Sequence, residues 1–276
     1  MERIGLIGVG SIGSYYAERL LQAGYALTVL DIDPARLQQA VALGARAAAT
    51  PAEVAEHADL ILLCLPGSHA VEQVMEGEQG LLSRLRPGQL VVDTGTSRPA
   101  TDVHYAKRCA ERGAALIDAP LTWRAAGQII MVGGPSEHFC RAEPVLRVLS
   151  YRLQHVGAIG AGQVLKLINQ AILAGRQAVY AEAVEMARGL ETDPALLREL
   201  LEFDIPEAML GDDYAGQGQL ALHYKDLGYL LELAHERRVQ IPLTGLVHEV
   251  FKAVRRRGKA DWTQAGLVTY WQWLNE

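Results

Sequence analysis

The chain has 276 residues, 50% of them hydrophobic and 21% charged, with 27 glycines. This composition excludes a disordered, collagenous or disulfide-stapled protein, because a chain this long buries enough apolar surface to fold by packing alone. The formal net charge of −6 repels phosphate backbones, so nucleic acid is not an expected partner.

The first 160 residues alternate short β-like runs with helical stretches. In chain order the pattern predicts strand 4–7, helix 11–23, strand 27–30, helices 34–43 and 51–57, strand 60–65 and helix 68–75. Strand 90–92, helix 99–112 and strands 114–117 and 129–132 follow. Most of the helices open with Ser or Pro, residues suited to a helix start. This is βαβ grammar and predicts a parallel sheet flanked by helices.

The texture changes at the glycine-rich stretch 156–162, beyond which apolar residues recur at helical spacing. The domain boundary is placed there, giving domains 1–160 and 161–276. Residues 163–190 read as one helix of about 42 Å, and further helices are expected over 194–203, 219–236, 245–256 and 262–274. The basic cluster Arg255-Arg256-Arg257-Gly258-Lys259 reads as a solvated helix end.

Three cysteines, Cys64, Cys109 and Cys140, form no CxxC pair and read as reduced thiols. Met1-Glu2-Arg3-Ile4 runs straight into an apolar strand without the succession of a signal peptide, and run 60–65 is too short to span a bilayer. A cytoplasmic protein with no membrane partner is expected. The eight histidines show no metal-ligand spacing, so no metal is expected.

Gly8-Val9-Gly10-Ser11-Ile12-Gly13 follows an apolar strand and opens a helix, the context in which a glycine-rich turn binds a dinucleotide. Gly8 permits the tight turn, Gly10 lets the backbone approach a pyrophosphate, and Gly13 lets helix and strand pack closely. The helix opened by Ser11 and Ile12 offers its amides and partial positive charge to the anion. Asp31, about 20 residues on, ends the second strand, where a carboxylate accepts hydrogen bonds from ribose hydroxyls. Asp33 adds negative charge or caps the next helix, and Ile32 supplies no cation for a 2′-phosphate, so NAD is expected over NADP.

Seven motifs then stand in order: GVGSIG at 8–13, LPGSHAVEQVM at 65–75, VDTGTSRP at 92–99, DAPLTWR at 118–124, MVGGP at 131–135, GAGQVLKLINQ at 160–170 and HYKDL at 223–227. With them the chain resembles the β-hydroxyacid dehydrogenases, the group of 3-hydroxyisobutyrate dehydrogenase and tartronate semialdehyde reductase. The resemblance implies a Rossmann-type doubly wound α/β dinucleotide-binding domain followed by an all-α domain, the 6-phosphogluconate dehydrogenase type of fold. It also implies an active site in the cleft between the two, with the helical half serving substrate binding and dimerisation.

By that resemblance Lys166 is the general acid/base, giving a proton to the alkoxide that forms as hydride passes from nicotinamide to an aldehyde or ketone carbon; oxidation is the reverse. The alternative for Lys166 is a solvent-facing helix lysine. Asn169 and Gln170 share its helix face at i+3 and i+4, and Gln170 stands where the family usually has a second asparagine. Leu65, Pro66 and Thr96 match cofactor-contacting positions, and Lys225 matches the second-domain lysine placed near nicotinamide or substrate.

Thr122-Trp123-Arg124 departs from the family's serine and two glycines at the substrate carboxylate. Thr122 keeps the hydroxyl. Arg124 either forks onto a substrate carboxylate, sulfonate or phosphonate, or points to solvent while Trp123 fills the space left by a shorter loop. The expected reaction interconverts a small 3-hydroxy acid and its semialdehyde. An imine reductase on the same fold, against which Lys166 argues, and a non-catalytic NAD-binding sensor are the alternatives. Apolar residues around the whole circumference of helix 163–190 predict a homodimer, or a homotetramer built from it.

Overall fold

A computed structural model describes residues 2–216, 219–257 and 261–275. Met1 of the opening stretch and Gly258 and Lys259 of the basic cluster lie outside the described residues. The chain divides into two compact units, Met1–Lys166 and Leu167–Glu276.

The first unit opens β1 (Ile4–Ile7), α1 (Ser11–Gln22), β2 (Leu27–Leu30), α2 (Pro34–Ala42), β3 (Arg46–Ala47), α3 (Pro51–His57), β4 (Leu60–Leu63) and α4 (Ser68–Met75). It continues with β5 (Leu90–Asp93), α5 (Pro99–Ala110), β6 (Ala115–Asp118), β7 (Leu121–Arg124), β8 (Gly127–Gly133), α6 (Ser136–Leu149) and β9 (Arg152–Gly157). One sheet runs β3-β2-β1-β4-β5-β6-β8-β7, with β9 also paired to β8. The six strands β1 to β6 are parallel in register, Ile4 opposite both Leu27 and Leu60.

Alternate residues of each central strand feed two cores. Leu6, Val29, Leu62 and Val92 pack with Tyr16, Ala17 and Leu20 of α1 and with Val145, Leu146 and Leu149 of α6. Their neighbours Ile7, Ile61, Leu63 and Val91 pack on the other face with Val54 of α3, Val71 and Met75 of α4 and Tyr105 and Cys109 of α5. A sheet buried on both faces reads as continuous apolar runs, which is why 60–65 carries no polar alternation.

Three corrections concern this unit. The sheet is not wholly parallel, because β8 pairs antiparallel with β6 through Asp118 and Gly133 and forms an antiparallel hairpin with β7. Helix α6 was not expected, since Pro144 inside it reads locally as a breaker. Strands β3 and β9 escaped notice because one has two residues and the other alternates polar side chains at the sheet's rim.

The second unit is helical. Helix α7 (Ala161–Gly189), 29 residues long, begins in the first unit and ends in the second. It is followed by α8 (Leu196–Glu199), α9 (Glu207–Leu210), α10 (Gln219–Glu236), α11 (Pro242–Arg256) and α12 (Val268–Asn275). Small residues of α7, Ala174, Ala178 and Ala181, admit Leu220 and Leu227 of α10 and Val250, Phe251 and Val254 of α11 into one core. The helix expected over 194–203 shrinks to α8, because the chain turns after Leu201 and Glu202 takes the left-handed conformation (φ 59°). The expected helix 262–274 starts later, since Trp262 is used in a β-bridge to Ala215. All three cysteines are free thiols.

Candidate functional site

The ends of the parallel strands gather the glycine-rich turn, Asp31, Leu65, Pro66 and Thr96 on one edge of the first unit. Ligands of open α/β sheets bind beyond the carboxyl ends of the strands. Gly8 takes φ +93°, and a side chain there would collide with the Cys64 carbonyl. Gly13 sits against the Gly8 carbonyl, which leaves no room for a Cβ. Helix α1 starts at Ser11 with Gly10 as its cap and no capping side-chain hydrogen bond, and the first-turn amides of a helix have no intrahelical partner, which suits such an end to an anion.

Asp31 does more than end β2. Its Oδ2 accepts the Val9 N–H at 2.6 Å and its Oδ1 accepts the Asp33 N–H at 2.8 Å, so the carboxylate braces the turn it adjoins. Asp33 caps α2 by accepting the Ala35 N–H at 2.9 Å. Ile32 supplies no cation, but Arg36 does: its Nε lies 3.3 Å from Asp33 Oδ2, and a carbon on Gly10 would lie 3.4 Å from its Nη1. Arg36 belongs to no motif, and the i,i+3 spacing from Asp33 is its one sequence signal. These groups fit a dinucleotide: an open backbone and helix-end amides for the pyrophosphate, and a carboxylate and a guanidinium for the ribose end.

The loop after β5 carries Thr96. It is pressed onto the segment that follows β4, because a Cβ on Gly95 would lie 2.6 Å from the Leu65 carbonyl oxygen. Beneath it lies a fully buried carboxyl cluster of Asp93, Asp102 and Asp118. Asp93 accepts the Gly95 N–H at 2.9 Å and the Ser97 hydroxyl at 2.7 Å. Asp118 accepts the Gly160 N–H at 2.6 Å and the Gln163 N–H at 2.8 Å. Burial pushes Asp118 up to about 6 against the pull of those two N–H groups. Burial, and then the charges of Asp93 and Asp118, push Asp102 well above the usual carboxylate range. Lys166, one turn past Gln163, is 9% exposed, so it is not a solvent-facing lysine.

On the β7–β8 hairpin Thr122 is buried and Trp123 is half exposed, its ring tilted edge-on to that of Tyr15 with the ring centres 5.6 Å apart. Arg124 folds back, its Nη1 donating to Thr122 Oγ1 at 3.0 Å and to the Trp123 carbonyl at 2.8 Å.

In the helical unit Asn169 donates to Gln170 Oε1 at 3.2 Å. Gln170 is buried and donates to Asp226 Oδ2 at 2.8 Å, with His223 Nε2 at 3.2 Å. Lys225 pairs with Asp226 Oδ1 at 3.1 Å and lies 5.1 Å over the Tyr229 ring. Gln264 reaches His223 at 2.9 Å, a partner no local pattern announced. Among the described residues no group of three or more His, Cys, Asp or Glu side chains could hold a metal, and no helix is long and apolar enough to cross a membrane.

The chain matches known proteins along nearly its whole length. Residues 3–157 match the NAD binding domain of 6-phosphogluconate dehydrogenase. Residues 160–271 match the family described as NAD-binding of NADP-dependent 3-hydroxyisobutyrate dehydrogenase. The chain is 32% identical to a 3-hydroxyisobutyrate dehydrogenase of Pseudomonas aeruginosa, over 97% of this chain and 96% of that one. It is 30% identical to 2-(hydroxymethyl)glutarate dehydrogenase of Eubacterium barkeri, over 98% and 95%. In fold it is similar to the Mycobacterium tuberculosis 3-hydroxyisobutyrate dehydrogenase solved with L-serine, with a TM-score of 0.86 at 24% identity and 98% of each chain covered.

Proposed function

Because the chain belongs to the β-hydroxyacid dehydrogenases, NAD(P)-dependent oxidoreductases acting on hydroxyl groups, we propose that it interconverts a small 3-hydroxy acid and its semialdehyde. The observation that carries this reading is Lys166, a buried lysine one turn beyond a helix start fixed by Asp118. When bound, the nicotinamide cofactor supplies or accepts the hydride. NAD is the proposed partner, held by the amides of the turn 8–13, by Asp31 at the ribose and by Leu65, Pro66 and Thr96.

In this reading Lys166 holds the proton that the substrate oxygen takes up on reduction and returns on oxidation. Asn169 supports the same reacting group. Gln170 fixes Asp226 and through it the Lys225 ammonium. Thr122 offers a hydroxyl to the substrate acid, Trp123 a wall, and Arg124 a guanidinium for a carboxylate, sulfonate or phosphonate. The protein acts in the cytoplasm as a homodimer or homotetramer. What supports the oligomer is the stripe Leu165, Ile168, Ile172, Val179 and Met186, exposed along one side of α7.

The test is oxidation of NADH and NADPH with methylmalonate, tartronate, succinate and sulfonated semialdehydes and a cyclic imine, for wild type and Lys166→Ala. A loss of about 10²- to 10⁴-fold in turnover of one aldehyde on removing Lys166 is expected. Reduction of the imine alone, with Lys166→Ala unimpaired, would overturn the reading in favour of an imine reductase. NADH binding with no turnover would favour a sensor.

A further inference from the structure

Gln163 binds two segments of the first unit, one through its backbone N–H and the other through its side-chain amide. Its backbone N–H belongs to the first turn of α7 and is held by Asp118 Oδ2 at 2.8 Å. Its side chain reaches across to the loop after β5, where Oε1 accepts the Ser97 N–H at 3.1 Å and Nε2 donates to the Gly95 carbonyl at 3.2 Å. Thr96 lies between the two gripped residues, and Lys166 lies one turn beyond the gripping one. Gln163, Ser97, Asp93 and Asp118 are all fully buried.

The surroundings are shaped for this contact. Asp118 needs the glycines beside it: a Cβ on Gly162 would lie 2.6 Å from its Oδ2, and one on Gly133 would collide with its Oδ1. Asp93 holds the loop from below through Gly95 and Ser97. The loop is thus bound from β5 by a carboxylate and from α7 by an amide, and the start of α7 is bound from β6 by a second carboxylate. An amide alone among side chains of this length both donates and accepts in one plane, which the paired Gly95 carbonyl and Ser97 N–H require.

We propose that Gln163 is a positioning residue that couples the Thr96 loop to the first turn of α7, so that the cofactor contact and Lys166 are set in register. This rests on the proposed roles of Thr96 and Lys166. The physical reason is that the fixed geometry of a hydride-transfer site tolerates little slack, a misplacement of ~1 Å costing about 10²-fold in rate.

The experiment compares Gln163→Met, which keeps length and loses both bonds, with Gln163→Glu, which keeps an acceptor for the Ser97 N–H and loses the donor. Lys166→Ala is measured in parallel. Three quantities are read: hydrogen exchange of the 93–99 segment in the protein without nucleotide, Kd for NADH, and kcat and KM with the best aldehyde. For Gln163→Met the expectation is exchange faster by about 10-fold, weaker NADH binding and kcat down by roughly 10- to 100-fold, with KM for the aldehyde nearly unchanged. Gln163→Glu should fall between it and wild type, and it carries the same comparison if Gln163→Met does not fold.

A lowered melting temperature with unchanged exchange, Kd and kcat would show a packing role and overturn the proposal. If Lys166→Ala keeps full turnover, the acid/base reading falls instead. The coupling is then judged by loop exchange and NADH Kd, which do not depend on Lys166: unchanged values overturn it and altered values support it.

Discussion

Gln170 Nε2 donates to Asp226 Oδ2 at 2.8 Å, a buried bond between α7 and α10. An asparagine would end ~1.5 Å short of the same oxygen, the length of one C–C bond. Since Asp226 also pairs with Lys225, the longer side chain sets the surroundings of that lysine as well as its own. Gln170→Ala is expected to cost about 2 kcal/mol, because a buried carboxyl loses a donor. Gln170→Asn should lose a similar amount. Urea unfolding of the two variants checks this, and a change within error of zero for both would show that the bond contributes nothing.

The ribose end holds Asp31, Asp33 and Arg36, with Arg36 drawn to Asp33 at 3.3 Å. Asp33→Ser keeps an oxygen to cap α2 but removes the charge that engages Arg36. The wild type is expected to use NADH in preference to NADPH. The Asp33→Ser variant should gain about 10-fold in relative kcat/KM for NADPH, since a guanidinium beside Gly10 then meets a 2′-phosphate without a competing carboxylate. Steady-state kinetics with both nucleotides decide it.

Arg124 is folded onto Thr122 Oγ1 at 3.0 Å. A guanidinium presents its donors in a planar fork, a geometry that matches a carboxylate or another acid. Arg124→Ala should raise KM for the substrate acid by about 10-fold and leave KM for NADH unchanged. Equal KM values for every acid turned over would remove Arg124 from substrate recognition.

Asp102 is fully buried, and among the described residues neither of its carboxyl oxygens has a hydrogen-bond partner of regular distance and angle. Its folded pKa lies well above that of an unfolded chain, first because of burial and then because of Asp93 and Asp118. The neutral form therefore favours the fold: its contribution is complete below the unfolded value near ~3.9 and is lost as pH rises through the folded one. Asp118, raised to about 6, adds to the same trend. Asp102→Asn cannot ionise, so its stability relative to wild type should increase steadily from about pH 4 to pH 8. Melting curves across that range that run parallel for the two proteins would refute it.

Ile172 is 67% exposed in the middle of the apolar stripe on α7. Ile172→Glu should shift the protein toward monomer in light scattering, because a carboxylate would be desolvated in any interface formed there. A wild type that is already monomeric would remove the oligomer from the reading.

Much of this molecule is legible locally. The glycines of 8–13 announce their turn because only glycine tolerates the φ of Gly8 and the closeness of Gly13. Strands β1, β2 and β4 and helices α3, α4 and α10 lie where periodicity and capping residues put them. Helix α6 was hidden by Pro144, whose missing N–H is tolerated where the helix packs Val145, Leu146 and Leu149 into the core. Of the β7–β8 hairpin only β8 is legible, as the strand expected over 129–132; β7 is not, because Leu121–Arg124 shows no strand period of its own and is held by pairing with β8.

The linear chain by itself determined the fold class, the nucleotide turn and the family, since each rests on short-range rules: hydrophobic period, glycine conformational freedom and motifs in fixed order. Only the tertiary structure decided what those residues hold. Asp118 and Gln163 stand 45 positions apart, Gln170 and Asp226 56 apart, and Ser97 and Gln163 66 apart. A hydrogen bond at such separation has no local signature, because its partners are brought together by sheet and helix packing, and it is these bonds that set Thr96, Lys225 and the start of the helix bearing Lys166.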